Sequence, residues 1–250
     1  MFAEKVRSAL TPFWREAKLQ RRRWLRWVRD LRSGRRRLFS QKKVAREAAF
    51  GFEVSLAQPI MPSATLVNKL SNIRLASQKM DRLCLQPGEI LSFWAVVGRP
   101  SLRRGFRFSR NIVGGQVSEA VGGGLCQVSG ILYHLALLAG LDVVERHPHS
   151  LDIYREEDRF SPLGADATVV YGYKDLRIQN CHDFPVALSL EVQDGRLTAA
   201  LLSPQPLRER NIEFRRGADT GLVRAVTTLC HHESGSRVLG QSDYRIAVAS

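Results

Sequence analysis

Apolar positions along this chain follow two rhythms, one helical and one extended. Between Thr11 and Gly34, a step of 100° per residue gathers Phe13, Ala17, Trp24, Trp27, Val28 and Leu31 into one stripe. Arg15, Lys18, Arg22, Arg26 and Arg29 fall on the opposite side. Thr11 as N-cap, Pro12 as first helical residue and Gly34 as the stop complete this expected helix. A second helical stretch is expected from Gln41 to Phe50. A third runs from Ser63 to Leu83, with Leu66, Leu70, Ile73, Ala76 (or Ser77) and Met80 on one face. A fourth opens at Cys126, where Val128, Ile131, Leu132, Leu135, Leu138 and Ala139 recur at helical spacing and Gly140 can end it.

Elsewhere the apolar runs are short. Pro87-Gly88, Gly98, Gly105 and Gly114-Gly115 separate segments that look like strands and turns. After the Cys126 helix, LDVVERHPH, ADATVVYGY and LRIQN read as strands, and PVALSLEVQDGRLTAALLS as a hairpin turning at Asp194-Gly195. The tail from Arg210 holds two further strands around Gly217 and Gly221. The predicted class is α+β, a mixed or antiparallel sheet packed on a central helix that begins at Cys126. A basic amphipathic helix precedes it.

Charge divides the chain in two. Residues 1–50 hold 16 Lys and Arg against four acids, whereas the remaining 200 residues hold 22 basic and 20 acidic side chains. The net charge of +14 therefore describes an arm, residues 1–50, attached to a nearly neutral body, residues 51–250. Arginines on one face and tryptophans on the other suit a helix lying on an anionic membrane surface, through residues 12–46. Packing of the stripe on the body is the second reading. Nucleic acid is the third and is not expected, since no recognised motif accompanies the charge. No run of 18 apolar residues and no secretory signal pattern appears, which points to a cytoplasmic or peripheral membrane location. The four cysteines, Cys84, Cys126, Cys181 and Cys230, are widely spaced and read as reduced thiols.

The chemistry concentrates in EAVGGGLCQVSG, Glu119 to Gly130. Three glycines, Gly122, Gly123 and Gly124, mark a sharp turn or a close approach to the backbone. Cys126 follows at a helix N-terminus, where free N–H groups and the helix dipole favour a thiolate. A cysteine nucleophile needs a base and a group that orients it. His147, His149 and Asp152 in ERHPHSLDIY, then Asp166, supply candidates in the order Cys, His, Asp. Pro148 holds His147 extended, and alternation sends His147 and His149 to the same face, so the pattern does not choose between them. Gln127 either donates to an oxyanion or fills a core hydrogen bond. The histidine and cysteine spacings match no zinc pattern, so neither a metal nor another cofactor is expected.

Four segments carry a family resemblance: PGEILSFWAVVG, GGGLCQVSGILY, ERHPHS and ADATVVYGYKDLRIQN. In this order they resemble the VanW family, named for an accessory protein of a vancomycin-resistance cluster, over about residues 85–202. The resemblance implies a bacterial protein with a cell-envelope connection and implies no particular reaction. Relatives tend to carry a second hydroxyl where this chain has Gly130, and many have an export or membrane segment and extra repeat modules.

Residues and resemblance together lead to two expectations. One is a cysteine-dependent acyl transferase or amidase acting on a peptide-like, peptidoglycan-related substrate. Cys126 would be the nucleophile, His149 the base and Asp166 (or Asp152) the orienter, with Gly122, Gly123, Gly124, Gln127, Ser129, His147 and Ser150 around the substrate. The other is a non-catalytic module that binds an anionic or peptide ligand at the Gly122–Ser129 loop. Neither fixes an oligomeric state.

Overall fold

A computed structural model describes residues 2–45, 50–113, 116–152, 159–218 and 223–246. It is an α+β fold whose strand pairings are antiparallel apart from one short parallel pair. The first helix, α1, spans Phe2–Arg32. It starts well before the expected Thr11, because strong helix formers precede Pro12 and carry the helix through it. Gly34 ends it in the left-handed region at φ 70°. The helix expected from Gln41 is absent over residues 41–45. Those residues run extended beside Arg82–Cys84, with Val44 N–H donating to Arg82 O and Cys84 N–H to Lys42 O. Positions 46–49 of that expected helix lie outside the described residues.

The body is built on β1 (Phe52–Pro59), α2 (Leu66–Met80), β2 (Cys84–Leu85), β3 (Ile90–Ser92), α3 (Phe93–Val97), β4 (Phe108–Val113), β5 (Gln116–Val121) and α4 (Leu125–Leu138). There follow β6 (Asp142–Glu145), β7 (Leu151–Asp152), β8 (Arg177–Gln179), β9 (Val186–Gln193) and β10 (Arg196–Ser203). The chain then makes β11 (Asn211–Arg216), β12 (Val223–His232) and β13 (Gly235–Ile246). One four-stranded sheet has the order β1-β10-β9-β2 and a second the order β11-β12-β13-β7. A three-stranded sheet, β3-β8-β6, and the β4-β5 hairpin complete the described strands.

Helix α4 is the centre of the core. Val128, Ile131 and Leu135 are fully buried, and they meet Ile73, Ala76 and Met80 of α2 within one apolar cluster. A helix apolar on nearly every side has to be covered on every side, and the sheets do this. The β9–β10 hairpin turns at Asp194 and Gly195, both at positive φ, as a two-residue turn requires. Two expectations change. ADATVVYGY is largely irregular, held by Thr168 N–H to His147 O and a Val170–Lys174 bridge. The tail folds as three strands, because β13 continues past the second turn and pairs with β7.

Helix α1 docks on the body through a polar stripe. Glu16, Leu19, Arg23, Arg26 and Asp30 recur at spacings of three and four and turn inward. Asp30 and Arg177 form a bidentate pair at 2.7 and 2.6 Å, with both side chains buried. Arg26 forks onto Glu145 at 2.9 and 2.8 Å, and Glu16 accepts from Arg99. Gly172 sits so close to Leu19 that a Cβ there would lie 2.5 Å from its Cδ1. The aromatic stripe stays open to solvent: Trp24 is 61% exposed and Trp27 43%. No helix among the described residues is long and apolar enough to cross a membrane.

Candidate functional site

The glycine run forms the entry to α4. Gly122 and Gly124 take φ 90° and 98°, and Gly123 is not among the positive-φ residues. A Cβ on Gly122 would lie 2.9 Å from Pro100, and one on Gly124 2.9 Å from Lys69 Cγ and 3.2 Å from Ile73. Asn72, buried on α2, donates to Gly123 O at 2.9 Å and fixes the turn. The glycines thus let the chain reverse direction against α2. The Leu125 and Gln127 N–H groups bond back to Gly122 and Gly124 carbonyls, while the Cys126 N–H has no backbone partner among the described residues.

Cys126, His149 and Asp166 come together on one side of a cleft of about 450 Å³. His149 Nδ1 is 2.6 Å from Asp166 Oδ2, and the His149 backbone N–H donates to the same oxygen at 2.7 Å. Cys126 lines the same cleft as His149, close enough that the charge of each acts on the other. Cys126 Sγ also lies 3.9 Å from Val169 O. Asp166 Oδ1 takes Arg146 at 2.9 Å and the Tyr244 hydroxyl.

The electrostatics follow from this packing. Burial alone would raise the Cys126 thiol, but the hydrogen bond and charge of His149 outweigh it and bring the thiol below its ordinary value. Burial alone would lower His149, yet its bonds to Asp166 and Cys126 push it up to about 10. Burial opposes ionisation of Asp166 too, and His149, Arg146 and Tyr244 together hold it well below the usual carboxylate range. The thiol shifts downward and the imidazole upward, both in the direction of a thiolate–imidazolium pair beside the Asp166 carboxylate. Cys84 and Cys181 go the other way, raised by burial and by neighbouring acids.

The remaining expected site residues separate. Gly124 and Gln127 line the cleft. Gln127 Nε2 donates to Pro59 O at 2.8 Å, while its buried Oε1 has no hydrogen-bond partner among the described residues. Ser129 is fully buried and its hydroxyl donates to Ala167 O at 2.6 Å, tying α4 to the Asp166 segment from beneath. His147 turns outward to Glu145 at 3.0 Å and Ser150 is exposed; neither lines the cleft. Burial would raise Glu145, but His147 and Arg26 hold it down to about 2. Asp152 pairs with Arg159 and Arg224, not with a histidine. Gly130 lines the cleft, and a Cβ there would meet the backbone of Ala165–Ala167 at ordinary contact distances of 3.7–3.9 Å. Among the described residues, no group of three or more His, Cys, Asp or Glu is placed to hold a metal ion.

Sequence reasoning missed Arg146 and Tyr244. Arg146 stands inside ERHPHS, between the residues that were weighed. Tyr244 has no motif at all and reaches the site only through strand pairing. A larger cleft of about 550 Å³ lies between α1 and the body, lined by Trp24, Trp27, Trp94 and Tyr171, with no cysteine or histidine in its walls.

Comparison with known proteins agrees with the motifs. The chain is 34% identical over 139 residues to the uncharacterized protein YoaR of Bacillus subtilis (strain 168), covering 56% of this chain and 44% of that one. It is 27% identical over 143 residues to the vancomycin B-type resistance protein VanW of Enterococcus faecalis (strain ATCC 700802 / V583), covering 56% and 52%. The match thus spans about half the length of these curated relatives. No solved structure matches the chain. The family model described as VanW like protein matches residues 68–202, which contain Cys126, His149 and Asp166, and the chain belongs to the VanW family.

Proposed function

We propose that this chain is a cysteine-dependent acyl transferase or amidase acting on a peptide-like substrate of the bacterial cell envelope. The observation that carries the reading is the meeting of Cys126, His149 and Asp166 at one cleft, where His149 is bonded to Asp166 and lowers the Cys126 thiol, with room for a peptide segment. The name of the Enterococcus relative, a resistance protein against a cell-wall antibiotic, supports the envelope assignment.

In this reading the Cys126 thiolate attacks a substrate carbonyl carbon and an S–C bond forms. The resulting oxyanion lies against the Cys126 N–H, which has no backbone partner among the described residues, at the start of α4, where the helix dipole adds to the stabilisation. The carbonyl re-forms, the C–N bond breaks, and the departing amine takes the proton from the His149 imidazolium. A thioester remains on Cys126. An incoming amine or water then attacks it, giving its proton to neutral His149, and the Cys126 thiolate leaves. An amine gives transfer and water gives hydrolysis. Asp166 keeps the imidazole ring aimed at the sulfur throughout.

The test is alkylation of the full chain with iodoacetamide between about pH 5 and 9, read by mass at each cysteine. Cys126 is expected to label at mildly acidic pH while Cys84 and Cys181 stay silent, and His149→Ala is expected to abolish the acidic labelling. A Cys126 that behaves like the other two removes the nucleophile and leaves a ligand-binding module at the same helix start.

We also propose that α1 meets an anionic membrane surface. Its polar stripe is used against the body, and Trp14, Trp24, Trp27 and Leu31 remain exposed among arginines. Aromatic rings beside a dense basic face are the composition that inserts at the headgroup boundary.

A further inference from the structure

We propose that the C-terminal sheet is a working part of the Cys126 site, and that Tyr244 is the positioning residue that holds the Asp166 carboxylate toward His149. It rests on the reading of Cys126, His149 and Asp166 as the reacting set. The sheet's strands β11, β12 and β13 lie beyond the family-matched residues 68–202, so nothing in that match assigns them a role.

Four observations converge on it. First, β13 pairs in parallel with β7, Arg245 against Leu151, and Arg245 N–H donates to Ser150 O, directly after His149. The strand that carries Tyr244 is therefore registered on the histidine's own segment. Second, the Tyr244 ring is 1% exposed, and its hydroxyl donates to Asp166 Oδ1 while accepting from Arg146. Third, Arg146 bridges the two halves: it donates to Asp166 O and Oδ1 and to Gly164 O, and it also reaches Ser242 of β13. Its guanidinium lies 4.8 Å from the Tyr133 ring of α4, the helix that begins beside Cys126. Fourth, the Asp166 segment is clamped onto the sheet. Gly164 has φ 103°, and a Cβ there would lie 2.8 Å from both Phe214 and Val226.

The consequence is geometric. A carboxylate on an irregular segment is free to turn about its own axis unless both oxygens are tied. Here Oδ2 is given to His149 twice over, and Oδ1 is held by Tyr244 and Arg146. With Oδ1 fixed, Oδ2 stays on the Nδ1 side of the imidazole, and the opposite nitrogen stays on the sulfur. The charged and titratable groups around His149 are Cys126, Asp166, Arg146 and Tyr244, and Asp152 of β7 is paired off to Arg159 and Arg224. Burial and the Asp166 charge keep the Tyr244 hydroxyl protonated, so it remains a donor over the whole working range.

The experiment is an ¹⁵N titration of the His149 ring in the full chain, paired with Cys126 alkylation at acidic pH and a thermal melt. Tyr244→Phe keeps the buried ring and deletes one donor. The His149 midpoint is expected to fall by about one unit or more from its raised value, acidic alkylation to drop about tenfold, and the melting temperature to stay close to wild type. Ser242→Ala, which unties Arg146 from β13 and leaves every donor on Asp166 in place, is expected to give a smaller shift of the same sign. An unchanged or raised His149 midpoint in a folded Tyr244→Phe overturns the proposal, since a raised one means that Tyr244 only competes for the Asp166 charge. If Tyr244→Phe does not fold, the absence of any shift in Ser242→Ala overturns it. A wild-type Cys126 that resists acidic alkylation sinks the acyl-transfer reading, while the His149 titration still decides the role of Tyr244.

Discussion

The His149 imidazole and the Asp166 carboxylate are joined twice, by the ring Nδ1 at 2.6 Å and by the His149 backbone N–H at 2.7 Å, both to Oδ2. The double tie fixes the ring's rotation as well as its distance, because the backbone bond leaves the side chain little freedom about χ1. An imidazole held in this way presents its second nitrogen to Cys126 in one orientation. Asp166→Asn keeps the size and loses the charge. It is expected to lower acidic alkylation of Cys126 about a hundredfold with only a small change in melting temperature. Alkylation at the wild-type rate would show that the thiolate does not depend on this pair.

The same ion pair shapes stability against pH. His149 and Cys126 pull in opposite directions: His149, raised to about 10, loses its stabilising contribution as pH climbs from 6.5, while Cys126, held below 9.0, gains its contribution as pH approaches 9.0. Below 9.0 the two slopes therefore offset each other. Above 9.0 the unfolded thiol loses its proton while folded His149 keeps its own to about 10, and stability falls. Cys126→Ser removes the compensation. Where Asp166 still holds the imidazole raised, the melting temperature of that variant is expected to decline as pH climbs from 6.5, more steeply than that of wild type. Parallel profiles for the two proteins would count against a thiolate in the folded state.

The glycines before α4 separate by conformation. Gly124→Ala places a side chain at φ 98° against Lys69 and Ile73, and a loss of about 1–3 kcal/mol is expected in a denaturant titration. Gly123 is not in the left-handed region, and Gly123→Ala is expected to cost less than about 1 kcal/mol. Equal losses at the two positions would show that the turn is not what selects glycine.

Asp30 and Arg177 tie the arm to the body with both side chains buried. Asp30→Ala leaves the guanidinium with Asp175 as its close partner, and a loss of about 3 kcal/mol is expected. The arm should then become cleavable by trypsin before the body melts. Resistance of the arm equal to wild type would mean that the remaining contacts of Arg26 and Glu16 suffice.

Binding of α1 to membranes is read from tryptophan fluorescence. Vesicles of phosphatidylserine and phosphatidylcholine are expected to blue-shift the emission, with an affinity that falls as salt is raised, at about 1 kcal/mol per basic residue near the surface. Pure phosphatidylcholine is expected to give little response. Equal binding to both would point to burial of the rings without the charge.

By itself the sequence determined most of the local elements and named the candidates for the site. The helical spacing from Val128 to Ala139, the Asp194-Gly195 turn and the stop at Gly34 each rest on short-range stereochemistry, which neighbours along the chain decide. Cys126 at a helix start, followed by His147 or His149 and by Asp152 or Asp166, was legible as a group of candidates because residue type and order are enough to name one. Tertiary structure decided the rest. The choice of His149 over His147 depends on which face of their segment meets Asp166, and Glu145 and Arg26 draw His147 to the other side. The docking face of α1 is its charged stripe, because buried carboxylates and a buried arginine wait for it on the body, and no hydropathy pattern along α1 encodes them. Tyr244 reaches Asp166 through a parallel pairing of β13 with β7, across most of a hundred residues of chain. Strand pairing of that kind is fixed by the packing of whole layers, and no local signal in either strand carries it.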